Sequence, residues 1–238
     1  MRIDDKFLEC VVYIYPSVEA ARDGKGAGGS GFLVNFPRPG QDANRIFVVT
    51  NRHVIETLEA PVVRVNKVDE PFDPIATNKE RWRDHPEGDD VTALEFHQLN
   101  EEHSFRWVDF HTALPDHATE DFHVGIGDTV AMVGRLIGHD GKVRNSPIAR
   151  FGTIAMMPGD KIRNSFGADQ ETYLVECHSV PGFSGSPVFL FLNATTRSLG
   201  GYPLVGIGPW LLGIDWYHAN TLEEVRDQSG HPSRTDGM

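Results

Sequence analysis

Cysteine is scarce. Only Cys10 and Cys177 occur among 238 residues, whereas a secreted protein of many short strands would often carry several disulfides. The expectation is a cytoplasmic protein, and nothing in the sequence supports a Cys10–Cys177 bridge. Long apolar runs are also missing. None approaches the ~20 residues that a membrane span needs, and the longest candidates, such as residues 187–192, are strand-sized. The opening MRIDDKFLECVVYIY has two aspartates and a lysine where a secretory leader would have a basic start and a long apolar stretch, so it reads as a first strand. Positive charge is in deficit, with 22 Lys and Arg against 34 Asp and Glu and a net charge of −12. That balance disfavours a general role on DNA or RNA, both polyanions, and favours solubility and basic partners. Internal repeats and low-complexity tracts are absent.

What is present is a chain of short strands. Gly (24) and Pro (15) punctuate β-branched runs such as IFVVT, VVRVN and YLVE. Strands are expected at 9–15, 30–35, 46–50, 62–66, 92–96, 129–133, 149–156, 172–176, 187–192, 204–207 and 211–216. Helical signals are few. Thr221 and Glu224 have the spacing of a capping box and predict a short C-terminal helix, and a helical turn is expected after the strand that ends before His53. A polar segment at 97–127, rich in His, Asp and Glu, separates two strand-rich halves. The length suits one large all-β domain or two small barrels sharing a core. The division expected is an N-terminal barrel over residues 1–115 and a C-terminal barrel over 116–238.

The sharpest chemical signal is Gly182-Phe183-Ser184-Gly185-Ser186-Pro187. Cleaving an amide needs a nucleophile and donors aimed at the developing oxyanion. Gly182 lets the backbone turn without a Cβ in the way, so that its N–H and that of Ser184 can point inward. A serine needs a base. Among 11 histidines, His53 stands out because it follows the strand-and-turn Phe47-Val48-Val49-Thr50-Asn51-Arg52. The base needs an orienting carboxylate, and Asp90 leads directly into the strand Val91-Thr92-Ala93-Leu94, with Asp89 as its competitor.

Three blocks together resemble the trypsin-like (chymotrypsin-fold) serine peptidases, in particular bacterial trypsin-like domains without disulfides. They are Gly28-Gly29-Ser30-Gly31-Phe32-Leu33-Val34 with Val48-Val49-Thr50-Asn51-Arg52-His53-Val54, then Asp90-Val91-Thr92-Ala93-Leu94, then Val180-Pro181-Gly182-Phe183-Ser184-Gly185-Ser186-Pro187-Val188. Asp90 lies 37 residues after His53, and Ser184 lies 94 after Asp90. The resemblance implies an all-β fold of two packed six-stranded Greek-key barrels, His and Asp on the first and Ser on the second. It also implies a serine endopeptidase acting on protein or peptide substrates. Ser184 would attack, His53 would relay the proton, Asp90 would hold the imidazole, and the Gly182 and Ser184 N–H groups would form the oxyanion hole. No metal or organic cofactor, nucleic acid or membrane enters that chemistry.

The chain departs from the family in three places. Secreted members carry Asp where this chain has Phe183, so a zymogen switch based on that ion pair is not expected. His178, six residues before Ser184, is expected near the base of the specificity pocket, with Trp216, Tyr217 and His218 along its wall. An Asp at the base would select Lys or Arg; His178 does not, which leaves acidic and apolar P1 residues open. After His218 the chain turns polar where the family has a closing strand, so the expectation is either an unusual closure of the second barrel or additional domains beyond this chain.

Other readings are weighed against this one. A catalytically inactive binding or scaffolding module would share the scaffold. An α/β-hydrolase wants G-x-S-x-G and its catalytic histidine after the serine; here the final Gly is missing and the candidate base His53 precedes Ser184. His97, His103, His111, His117 and His123 lack the i, i+4 spacing of a metal pair. Arg52 and the stretch from Trp82 to Asp90 read as loop features.

Overall fold

The computed structural model describes residues 2–37, 45–136, 141, 143–177, 182–192, 198–199, 202–203, 208–217, 225–226 and 232–233. The first half holds eight strands: β1 Val11–Tyr15, β2 Gly29–Phe36, β3 Arg45–Thr50, β4 Val62–Asn66, β5 Phe72–Ala76, β6 Arg83–Asp84, β7 Thr92–Glu95 and β8 Val108–Asp109. They form one sheet in the order β5-β4-β1-β2-β3-β7-β6, with β8 added to β2 in parallel. The second half holds β9 Thr129–Gly134, β10 Ile148–Met156, β11 Ile162–Arg163, β12 Asp169–Gln170, β13 Leu174–Cys177, β14 Pro187–Phe191, β15 Ser198–Leu199, β16 Tyr202–Pro203, β17 Trp210–Ile214, β18 Val225–Arg226 and β19 Pro232–Ser233. Its main sheet runs β13-β10-β9-β14-β17, and β11–β12 is a separate hairpin. In both sheets the fourth main strand returns beside the first (β4-β1-β2-β3 and β14-β9-β10-β13), the Greek-key order.

Burial patterns explain the layering. In β1 every residue is buried, because its alternating sides enter two different cores. Val12 and Ile14 join Leu33, Val48, Val63 and Leu94 inside the first sheet. Val11, Tyr13 and Tyr15 face the other way and meet Val133 of β9 and Phe189 of β14. Val130 and Met132 of β9 and Val188 and Leu190 of β14 point into a third cluster inside the second sheet. The middle cluster therefore joins the two halves. Each such fully buried side chain contributes roughly 1.5–3 kcal/mol.

The structure departs from the sequence expectation at several elements. The first sheet has eight strands rather than six, because β6 and β8 are two-residue additions to six longer strands, and the second shows five among the described residues. β5 contains Pro74, which hides it in the sequence; it is tolerated because β5 is the edge of the sheet. Helix α1, Lys6–Glu9, precedes β1, and α2, Val18–Asp23, is marked only by its caps: Ser17 Oγ accepts from Ala20 N at 3.1 Å, and Gly24 closes it at φ 63°. The expected C-terminal helix is not seen in its described part: Val225–Arg226 pair as a strand with Pro232–Ser233, and the rest lies outside the described residues, as does the expected strand 204–207. A single capping box cannot offset helix nucleation without an apolar face to pack. The polar connector is not all solvated. His103 is buried, its ring nitrogens 2.8 Å from Asn100 Oδ1 and 3.3 Å from Asp73 Oδ2, and α4, Asp116–Asp121, lies within it.

Candidate active site

β3 ends at Thr50 and turns into α3, Arg52–Glu56, whose Val54 and Ile55 are buried in the first core. Packing of those two residues fixes the one-turn helix and with it the direction of His53. The imidazole Nδ1 of His53 donates to Asp90 Oδ2 at 2.6 Å, and the backbone N–H of His53 donates to Asp90 Oδ1 at 2.9 Å. Asp89, the neighbouring carboxylate, is half exposed and instead lies 3.5 Å from His85. Asp90 is 1% exposed, and its backbone is held as firmly as its side chain. Its carbonyl accepts from Asn51 Nδ2 at 2.8 Å, and its N–H donates to Gln170 Oε1 at 2.9 Å. Asn51 sits at the N-cap of α3 yet makes no side-chain cap bond; its amide is directed to Asp90 instead.

Ser184 lies in a turn before β14. Gly182 and Gly185 on either side have φ values of 103° and 86°, a region that side chains bearing a Cβ avoid. Phe183 between them is fully buried in the second core, where it anchors the turn from below, with the Arg150 guanidinium 5.5 Å from its ring. The Ser184 carbonyl accepts from the Ser30 N–H at 2.8 Å, and the Ser30 carbonyl accepts from Thr50 Oγ1 at 2.6 Å. Gly29 sits in the seam: a Cβ there would meet Val54 at 2.8 Å and the Ser184 carbonyl at 2.9 Å. Gly29 thus lies between the Ser184 turn and Val54, the α3 residue next to His53, while Ser30 ties the turn to the end of β3. Gly185 N–H donates to the Asp215 carbonyl at 3.0 Å, and Asp215 N–H to the Ser186 carbonyl at 2.9 Å, which ties the turn to the segment after β17.

A model of the trypsin-like peptidase domain matches residues 29–194. The chain belongs to the trypsin-like peptidases. Among solved structures, the MamO protease domain from Magnetospirillum magneticum, in its apo form, is similar at 17% identity over 78% of this chain and 80% of that one, with a TM-score of 0.52. Deg5 is similar at 17% identity over 77% and 75%, with a TM-score of 0.47. AlgW, an HtrA-type protease with a decapeptide, is similar at 16% identity over 96% of this chain and 59% of that one, with a TM-score of 0.49. No curated protein matches the chain. The likeness to MamO gives the fold of this trypsin-like peptidase as the all-β, two-barrel chymotrypsin fold.

Of the residues expected to line a specificity pocket, Trp216 is half-buried and Tyr217 exposed, their rings 5.4 Å apart. His178 and His218 lie outside the described residues. Burial and the nearby Asp215 carboxylate push the Cys177 thiol up, with Arg150 opposing them. Among the described residues, no group of three His, Cys, Asp or Glu gathers as a metal site.

Sequence reading did not single out Asn51, Ser30, Thr50, Asn164 or Gln170. The first three lie inside the blocks that carry the resemblance, so their positions were visible but their bonds were not. Gln170 sits in the polar stretch GADQET, which has no motif. Arg52, read as a loop residue, bridges Asp84 at 3.2 Å and stacks its guanidinium 4.1 Å over Phe166.

Proposed function

We propose that this trypsin-like peptidase is an active serine endopeptidase with Ser184 as nucleophile, His53 as general base and acid, and Asp90 as the orienting carboxylate. The observation that carries the reading is the His53–Asp90 pair, bonded at 2.6 Å and 2.9 Å, with Gly29 lying between the Ser184 carbonyl and Val54, the residue after His53. With Nδ1–H committed to Asp90, the other ring nitrogen of His53 is left to accept the Ser184 hydroxyl proton. Ser184 Oγ then attacks the peptide carbonyl. The negative charge that develops on the carbonyl oxygen is received by the N–H groups of Gly182 and Ser184, whose orientation the positive φ of Gly182 supports. The imidazolium passes its proton to the leaving amine, and water releases the acyl group by the reverse path. Trp216 and Tyr217 give the substrate groove an aromatic wall, and with His178 and His218 they are the residues assigned to substrate recognition. A reducing, cytoplasmic setting is part of this proposal; the two free thiols support it.

The test is covalent labelling with a fluorophosphonate probe together with cleavage of a peptide library. Wild type labels and cleaves. Ser184→Ala does neither, a loss on the order of 10⁶ in rate, and His53→Ala falls to a similar background. A folded wild type that neither labels nor cleaves would leave the scaffold as a protein-binding module.

A further inference from the structure

The β11–β12 hairpin belongs to the second half by sequence, yet its bonds reach the first. Asn164 Nδ2 donates to the Gly88 carbonyl and to Gln170 Oε1, both at 2.9 Å. Gln170 Oε1 in turn accepts from the Asp90 N–H at 2.9 Å. The reaching amide is itself held: Asn164 Oδ1 accepts from the N–H groups of Phe166 and Ala168, each at 3.0 Å. Ala168 presses on the loop below it, since a Cβ on Gly88, at φ 89°, would come within 3.0 Å of the Ala168 methyl. Phe166 lies under the guanidinium of Arg52, the residue before His53. Gln170, Asn164 and Asp90 are 5%, 6% and 1% exposed, so these amides work where water does not compete.

The consequence concerns all four polar groups of Asp90. Its two carboxylate oxygens meet His53, its carbonyl meets Asn51, and its N–H meets Gln170. Three of these four bonds go to His53 and Asn51, on the β3–α3 segment. Gln170 alone of the partners comes from the other half. The direction of the carboxylate depends on the peptide that carries it, and that peptide is fixed on one side by the second half of the molecule.

We propose that Gln170, held in place by Asn164, is a positioning residue: through the Asp90 N–H it fixes the carboxylate against His53, so that the hairpin of the second half sets the competence of the base in the first. The proposal rests on the serine peptidase reading, and it is placed so that the two can fail separately.

The experiment measures kcat and KM for peptide cleavage, and the low-field proton resonance of the His53–Asp90 hydrogen bond, in the full chain. The variants are Gln170→Leu, which removes the acceptor, and Asn164→Asp, which keeps the Oδ1 acceptor for the two turn N–H groups but loses the Nδ2 donor of both outgoing bonds. A misplacement of about 1 Å can cost on the order of 10²-fold in rate. The expected result is a fall in kcat of roughly 10–100-fold with KM within about two-fold, and a broadened or lost resonance. If Gln170→Leu does not fold, Asn164→Asp carries the same comparison. Wild-type kcat and an unchanged resonance in the folded variants would overturn the proposal, as would a loss of rate that only tracks the fraction folded. A wild type that cleaves nothing but whose resonance still depends on Gln170 would uphold the positioning and remove the peptidase reading alone.

Discussion

The Ser30 N–H donates to the Ser184 carbonyl at 2.8 Å, and Ser30 makes three further bonds around the same turn. Its hydroxyl donates to the Gly182 carbonyl at 3.3 Å and accepts from the Arg135 N–H at 3.0 Å, while its carbonyl accepts from Thr50 Oγ1 at 2.6 Å. One residue of β2 therefore links the end of β3 to the turn before β14. Gly185 sits directly over this junction. A Cβ there would overlap the Ser30 carbonyl and the Thr50 hydroxyl, and its φ of 86° is one that alanine avoids.

Gly185→Ala is expected to fail on both counts. The backbone penalty alone is about 1–2 kcal/mol, and the overlap forces the turn off Ser30. Fluorophosphonate labelling should drop by at least about 100-fold while the protein stays folded below a lowered Tm. Labelling at the wild-type rate would show that the contact between the turn and Ser30 does not matter to reactivity.

Arg64 is fully buried on β4. It donates from Nε to Asn145 Oδ1 at 2.7 Å, from Nη1 to the Ala21 carbonyl at 3.0 Å and from Nη2 to the Gly141 carbonyl at 3.1 Å, among the rings of Tyr13, Tyr15 and Phe72. Arg64→Met fits the volume but leaves three acceptors unmet, two of them in buried bonds. The expected loss is about 2–5 kcal/mol in urea denaturation, with Arg64→Lys close behind because an ammonium cannot span the three acceptors. A change under about 0.5 kcal/mol would place the variant in the range of ordinary surface substitutions and contradict this account.

Burial pushes the Cys10 thiol up to about 12, and burial likewise raises the Tyr13 hydroxyl. An unfolded chain releases the cysteine proton near ~8.5, so between those values the folded state binds the proton that the unfolded state has lost. The stability associated with the neutral thiol is complete below about pH 8.5 and declines as pH climbs toward 12, by at most about 1.4 kcal/mol per pH unit. Denaturation at pH 7 and pH 10 should show a smaller alkaline loss in Cys10→Ala than in wild type. A disulfide reagent at pH 8 should modify half-buried Cys177 first and Cys10 only on unfolding. Equal rates at the two thiols would contradict the burial described here.

Much of the fold was legible because its strands are β-branched runs bounded by Gly and Pro, and such runs state their own periodicity. β4 was read to the residue, and β1, β2, β3 and β9 within two residues of their ends. β5 was hidden by Pro74, since sequence does not reveal which strand is an edge, and α2 was too short to show a period. At the site, His53 and Asp90 could be picked out because each abuts a strand end that fixes its direction. The bonds from Asn51, Asn164 and Gln170 were not legible. They join residues up to 80 positions apart, and an amide side chain in a polar turn has no pattern to distinguish it.

The two ties from the Ser184 turn to Asp215 carry a consequence for biosynthesis. The ribosome delivers the chain from its N-terminus, so the His53–Asp90 segments emerge long before residue 215. Gly185 and Ser186 have no strand end to close upon until Asp215 follows them out. A chain that stops short of residue 215 therefore lacks both backbone bonds that tie the Ser184 turn to the segment after β17, and is left with the hydrogen bonds from Ser30.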